Sequence, residues 1–146
     1  MMEIAEHKEH QLESLDKVKR LQEIMLSMPQ TEIQSWFNQG GGIAAKMVFF
    51  PAGVTVVGSM HRHENMNIMV CGDMTITTDG EAKRITVTDA PLFIVSPPGT
   101  KRAAHVHADT YWISLHPTDE KEIEEVEKRF IVEEQNEAEF LKLLGS

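Results

Sequence analysis

The chain has a single cysteine, Cys71, among 146 residues, which excludes an intramolecular disulfide and a thiolate zinc site. Any metal held here must be ligated by nitrogen and oxygen. Cations are scarce too: 14 Lys and Arg stand against 23 Asp and Glu, a formal net charge of −9. A nucleic-acid surface needs clustered Lys and Arg to release counterions, so that class of partner is not expected. Long apolar runs are missing as well. The longest nearly uncharged stretch, Ile43 to Met60, is interrupted by Lys46, Pro51 and glycines, and falls short of a membrane span. The opening residues, MMEIAEHKEHQ, alternate charged and apolar side chains and lack the basic and apolar regions of a secretory signal. A cytoplasmic location is therefore expected, and no membrane partner.

What is present divides into three segments: a helical one over 1–39, a β domain over 40–117 and an acidic helical tail over 118–146. In the first, Leu12, Leu15, Val18, Leu21, Ile24, Met25 and Met28 recur at spacings of three and four, the pattern of an amphipathic helix. Its stripe must cover the chain's own sheet or pair with a second copy. Pro29 ends it, and TEIQSWFNQ reads as a short helix capped by Thr31 or an irregular approach to the sheet. Gly40, Gly41 and Gly42 then form a flexible turn at which the β domain is placed. From Ile43 to Leu115, short runs of Val, Ile, Thr, Met and Phe are separated by turn signals at Pro51-Ala52-Gly53, Cys71-Gly72-Asp73, Asp79-Gly80, Asp89-Ala90-Pro91 and Pro97-Pro98-Gly99. Such spacing without helical periodicity predicts an antiparallel sandwich or barrel. Beyond Pro117 a helix is predicted with Thr118 or Asp119 as N-cap and Ile123, Val126 and Phe130 on one face. A strand or break and a last short helix follow. The tail carries ten acidic against four basic residues, a local −6 of the total −9.

The chemistry concentrates in HRHENMNIMVCGD, residues 61–73. On a strand, His61 and His63 share one face while Arg62 takes the other. The methionines 60, 66, 69 and 74 read as adaptable core filler, His116 reads as structural, and Tyr111 and Trp112 alternate, one inward and one outward. No hydrolase nucleophile elbow surrounds Ser59, and the glycine triplet lacks the Lys-Ser/Thr of a phosphate loop.

GSMHRHENMNIMVCGDMTI and APLFIVSPPGTKRAAHVH together resemble the two motifs of the cupin superfamily, over roughly Gly53 to Pro117. His61, His63 and Gly72 match the first motif, and Pro97 and Gly99 match the second. The layout also resembles small cupin-like proteins encoded by tailed bacteriophages, for which the host cytoplasm would be the location. The resemblance implies a mainly β fold, an antiparallel β-barrel or jelly roll, with an N-terminal amphipathic helix and a C-terminal helical tail. It further implies a divalent transition metal (Fe, Mn, Ni or Zn) in the barrel mouth, held by a histidine pair, a glutamate and a last histidine. Two positions depart from the pattern. Asn65 or Asn67 stands where the family has its glutamate, and Arg102 stands where it has its last histidine. Arg102 cannot ligate a metal; pointing inward, it would make an anion site. His105 and His107 lie on the opposite face under strict alternation, and a bulge at Ala103-Ala104 would bring one back.

His61, His63 and His105 are accordingly the candidate metal ligands, with Asn67, Arg102 and His107 as candidate ligand-binding residues. Three functions remain open. One is a small-molecule-binding or assembly module whose helices mediate homo-oligomer contacts. The others are a metal-dependent dioxygenase or isomerase acting on a small polar substrate, and a structural protein, such as a virion component, using the barrel as scaffold.

Overall fold

The computed structural model describes residues 4–78 and 80–144. Helix α1 (Ile4–Leu26) is followed by seven strands, β1 (Gln34–Gly40), β2 (Ile43–Phe50), β3 (Thr55–Val57), β4 (Asn65–Thr78), β5 (Glu81–Val87), β6 (Leu92–Ser96) and β7 (Ala103–Pro117). Helices α2 (Ile123–Phe130) and α3 (Glu137–Leu143) close the chain, with a short 3₁₀ turn at Glu134–Asn136 between them. The mainly β, antiparallel expectation holds. No described helix is long and apolar enough to cross a membrane.

All strand pairs are antiparallel, and β4 and β7 form the spine. Each of these long strands serves two half-sheets. The C-terminal part of β7 and the N-terminal part of β4 lie between β2 and β6, giving the order β1-β2-β7-β4-β6. Their other halves lie between β3 and β5, giving β3-β7-β4-β5. The passage from one half to the other falls where the β4–β7 register shifts, between Met69 and Met74 on one strand and Val106 and Trp112 on the other. Bulges bend a strand and raise its twist, so this is where the sheet folds over. The result is a jelly-roll-like fold and not a strictly closed barrel: among the described residues, β1, β3, β5 and β6 each pair on one side only. Met69, Met74, Ile76, Val87 and Val106 fill the core.

Gly72 sits at the fold-over with φ +127°, and a Cβ there would overlap the side chain of Thr110. Cys71-Gly72-Asp73 is thus a bulge within continuous β4, not the hairpin turn that its composition suggests. The other turn signals separate strands as expected, except that Asp79 lies outside the described residues. Gly41 and Gly42 form a turn as expected, but inside the sheet and not at its start. Both have positive φ, 60° and 77°, and they form a two-residue loop between the paired Gly40 and Ile43, the geometry that suits the right-handed twist of a hairpin. The sheet consequently starts at Gln34, before the glycines: Trp36 and Phe37 lie on β1 instead of a second helix, because aromatic residues lose little by packing on a pleated surface.

Helix α1 ends as predicted. Gln30 Nε2 donates to the carbonyls of Met25 (2.8 Å) and Met28 (3.0 Å), closing part of the open helix terminus. Its Leu12 and Leu15 pack with Met60, Val132, Ala138 and Leu141, so the first half of the stripe is covered within the chain's own fold, while Ile24 and Met28 at its far end are exposed. Glu137, on α3, is 1 % exposed and pairs with Lys101 Nζ at 2.8 Å and Lys19 Nζ at 3.7 Å, fastening both helices to the sheet. Helix α2 begins at Ile123, later than a cap at Thr118 or Asp119 would place it; Thr118 Oγ1 accepts instead from the Glu120 amide at 3.1 Å.

Candidate functional site

The two half-sheets enclose a cavity of about 300 Å³, within the range of small-molecule pockets. Strict alternation builds it. Ala44, Lys46, Val48 and Phe50 face it from β2, Asn65 and Asn67 from β4, and Ala104, Trp112, Ser114 and His116 from β7. Val126 and Phe130 of α2 cover one side. The wall is largely apolar, with polar groups gathered at one end.

That polar end is organised by Asn67, 3 % exposed. Its Oδ1 accepts from Ser114 Oγ at 3.0 Å, from Trp112 Nε1 at 3.3 Å and from Asn65 Nδ2 at 3.3 Å. Its Nδ2 donates to Ser96 Oγ at 2.7 Å. A connected buried network of this kind fixes side-chain orientation. Two buried atoms of the lining are left out of it. Asn65 Oδ1 and His61 Nδ1 are buried and have no hydrogen-bond partner among the described residues, although both side chains line the cavity. Unpaired buried polar atoms are costly and call for an explanation.

His61 reaches the cavity without being in a sheet. Segment 58–62 is stitched on two sides: Gly58 N donates to Arg102 O (2.9 Å), Gly99 N to His61 O (2.8 Å) and Arg62 N to Phe130 O (2.8 Å). The backbone bends at Arg62 and His63, so the two-residue alternation of a strand does not apply, and the shared face expected for His61 and His63 is lost. His61 stacks on His116, with ring centroids 5.1 Å apart, while His63 is exposed and meets Phe130 edge-on at 5.9 Å. His61 is pushed down from 6.5 to about 4, first by burial and then by the positive fields of His116, Arg102 and Lys46. Burial, then His63, lowers His116 as well. Both rings are neutral at pH 7.

His105 and His107 lie elsewhere. The β4–β7 register is unbroken from Ala103 to Val106; the expected bulge at Ala103-Ala104 does not form, and the irregularities come later in the strand. Both rings therefore stand exposed on the outer face, His105 Nδ1 3.0 Å from Thr55 Oγ1 and His107 Nε2 2.7 Å from Thr75 Oγ1. His61, His63 and His105 are not brought together, and no three His, Cys, Asp or Glu among the described residues are placed to hold a metal ion. The donor set at the cavity does not fit a divalent cation. The His61 imidazole lies in the field of Arg102 and Lys46, and the one lining carboxylate, Glu127, pairs with Lys46 at 3.3 Å.

Of the candidate ligand-binding residues, Asn67 and Arg102 line the cavity and His107 does not. Asn65, Ser114 and His116 join them. The signal for His116 was present in the sequence: it lies an even number of residues from Trp112 and Ser114, whose parity all faces inward on β7.

No family model matches the chain, and no curated protein matches it. Solved structures do. An uncharacterized conserved protein with a double-stranded β-helix domain from Klebsiella pneumoniae superposes with a TM-score of 0.50 at 13 % identity, over 63 % of this chain and 84 % of that one. A cupin superfamily protein from Desulfitobacterium hafniense gives 0.48 at 14 % identity over 63 % and 83 %, and KdgF from a Halomonas species 0.47 at 24 % over 60 % and 82 %. At these identities the likeness is one of fold.

Proposed function

We propose, with the cupin fold as premise, that the chain is a binding module for a compact organic anion with an apolar body, held between the half-sheets without chemical turnover. The observation that carries this reading is the pair of unpartnered buried atoms, His61 Nδ1 and Asn65 Oδ1, in the lining of a largely apolar cavity. A ligand whose polar end carries a hydroxyl beside the acidic group satisfies them: the hydroxyl donates to Asn65 Oδ1, and the acidic oxygen accepts from His61 Nδ1–H in the tautomer protonated there. The Asn67 network supports the reading by holding Asn65 in place before any ligand arrives, which reduces the ordering cost of binding. Arg102 and Lys46, against the Glu127 carboxylate paired with Lys46, leave the lining one net positive charge. Their field already disfavours a proton on His61, and the same field favours an anion and disfavours a cation.

Calorimetric titration with 2-hydroxyhexanoate and mandelate, each with a hydroxyl to donate to Asn65 Oδ1, tests this, with 2-hydroxyhexanamide and mandelamide as neutral controls. The reading expects saturable one-to-one binding of at least one anion, at least about tenfold weaker binding of its neutral counterpart, which is about 1.4 kcal/mol, and loss of binding in His61→Ala and Asn65→Leu. Absence of binding across the panel, or binding that survives both substitutions, contradicts it.

A further inference from the structure

An antiparallel sheet with one face on the core turns its other face to water, and on that outer face of β3-β7-β4-β5 stand two histidines. His105 and His107 lie two residues apart on β7, so both side chains leave the strand on the same side, and both are exposed. Their ring centroids are 5.1 Å apart, with the planes at 76°. Exposed side chains ordinarily move among rotamers, but these two are tied down. His105 Nδ1 lies 3.0 Å from Thr55 Oγ1 on β3, and His107 Nε2 lies 2.7 Å from Thr75 Oγ1 on β4. The registers set Thr55 and Thr75 directly beside His105, one on each flank. Each imidazole thus gives one nitrogen to a threonine and keeps a second donor atom, Nε2 on His105 and Nδ1 on His107.

We infer that His105 and His107 form a surface chelate for a late first-row divalent ion, Cu²⁺, Ni²⁺ or Zn²⁺, with water completing its coordination shell. Ring separation is the first argument. Bonds of about 2.0–2.1 Å from an ion to two imidazole nitrogens, at an angle between about 90° and 110°, set the ring centroids roughly 5 Å apart, the spacing that this pair already has. Orientation is the second. When a ring N–H donates to a threonine hydroxyl, the opposite nitrogen presents its lone pair, and an outer hydrogen bond of this kind is what fixes the tautomer of a metal-binding histidine. The charge nearby does not oppose a cation. Arg84 stands opposite Thr75 in register, but Asp73 accepts from its Nε at 3.0 Å and its Nη2 at 2.8 Å, and the chain as a whole carries −9. Imidazole nitrogen selects against Mg²⁺ and Ca²⁺, which take oxygen. No third His, Cys, Asp or Glu among the described residues joins the pair, so the site suits an exchangeable ion. Neither ring lines the cavity, and the inference does not depend on the ligand reading.

Titration of the full chain with zinc chloride at neutral pH, followed by nitrogen-15 NMR of the imidazoles, decides the matter. In the wild type, His105 Nε2 and His107 Nδ1 are expected to move together and saturably, ahead of any change at His61, His63 or His116, and magnesium chloride is expected to move neither. In His105→Gln the remaining His107 resonance, and in His107→Gln the remaining His105 resonance, should need at least about tenfold more zinc, because a single ring has lost the chelate. Thr55→Val/Thr75→Val should weaken zinc binding at both rings by a similar factor, because the rings lose the hydrogen bonds that orient them. None of these four side chains is buried, so the far-ultraviolet spectrum should not change. Zinc shifts that begin at the cavity histidines, two outer rings that saturate at different zinc concentrations, an unchanged midpoint in either histidine variant or in the threonine variant, or an equal response to magnesium overturns the inference.

Discussion

The rings of His61 and His116 lie 5.1 Å apart and 20° from parallel, stacked at the edge of the inter-sheet cavity with both bases held below the ordinary histidine range. Two imidazoles in this arrangement cannot both take up protons without mutual repulsion. Burial, more than that repulsion, keeps them neutral, and neutrality has a cost that pH exposes.

Because the folded pKa of His61 is lowered to about 4 from 6.5, the unfolded chain binds a proton there first. Stability is full above pH 6.5 and is lost as pH falls toward 4. A shift of this size corresponds to at most about 3 kcal/mol. Denaturant unfolding at pH 7 and pH 4.5, compared between wild type and His61→Gln, isolates the effect: the variant is expected to lose less stability on acidification. Equal losses in both would show that His61 does not titrate between the two states.

Asn67 is expected to be the least replaceable polar residue of the cavity. Asn67→Leu leaves the Trp112 indole N–H, Ser114 and Ser96 without their partner, and a cost of about 2–4 kcal/mol follows from unpaired buried polar groups. Chemical denaturation measures it, and a reduced near-ultraviolet signal from Trp112 should accompany it.

Gly72→Ala should be severe and Gly40→Ala mild. At Gly72 the backbone is left-handed and the new methyl group would meet Thr110, whereas nothing lies near a Cβ at Gly40. A loss of more than about 3 kcal/mol, or failure to fold, is expected for the first and less than about 1 kcal/mol for the second. Comparable midpoints in urea would contradict the placement of the bulge.

Glu137→Gln removes the charge facing Lys101, whose side chain is 3 % exposed. Breaking one partner of a buried ion pair costs about 3–5 kcal/mol, and replacing both with apolar residues recovers much of it. Thermal unfolding of Glu137→Gln and of Glu137→Leu/Lys101→Met should therefore rank the double variant above the single one.

The strands and the first helix were legible because alternation and the three-to-four period are local properties. The long helix from Ile4, the alternation of Tyr111 and Trp112 and the turns at Pro51 and Pro97 all follow from neighbours in sequence. What escaped depends on contacts between distant segments. Gly72 carries the composition of a turn, yet β4 continues through it because Thr110 approaches from the partner strand. His61 and His63 have strand spacing, but ties to Arg102 and Phe130 bend the chain between them and separate the two rings. His105 needed a bulge to turn inward, and the bulges lie farther along β7, where the sheet folds over. The glycine triplet was readable as a turn, but not as a hairpin loop inside the sheet. That pattern becomes readable only when β1 is recognised as a strand.

The most direct test is nitrogen-15 NMR of the His61 imidazole and the Asn65 and Asn67 side-chain amides during titration with the best anion of the calorimetric panel. The account predicts a neutral His61 ring at pH 7 whose Nδ1 resonance moves saturably together with Asn65, with no comparable movement at His105 or His107. A His61 ring that is protonated at pH 7, or shifts confined to the outer histidines, would contradict it.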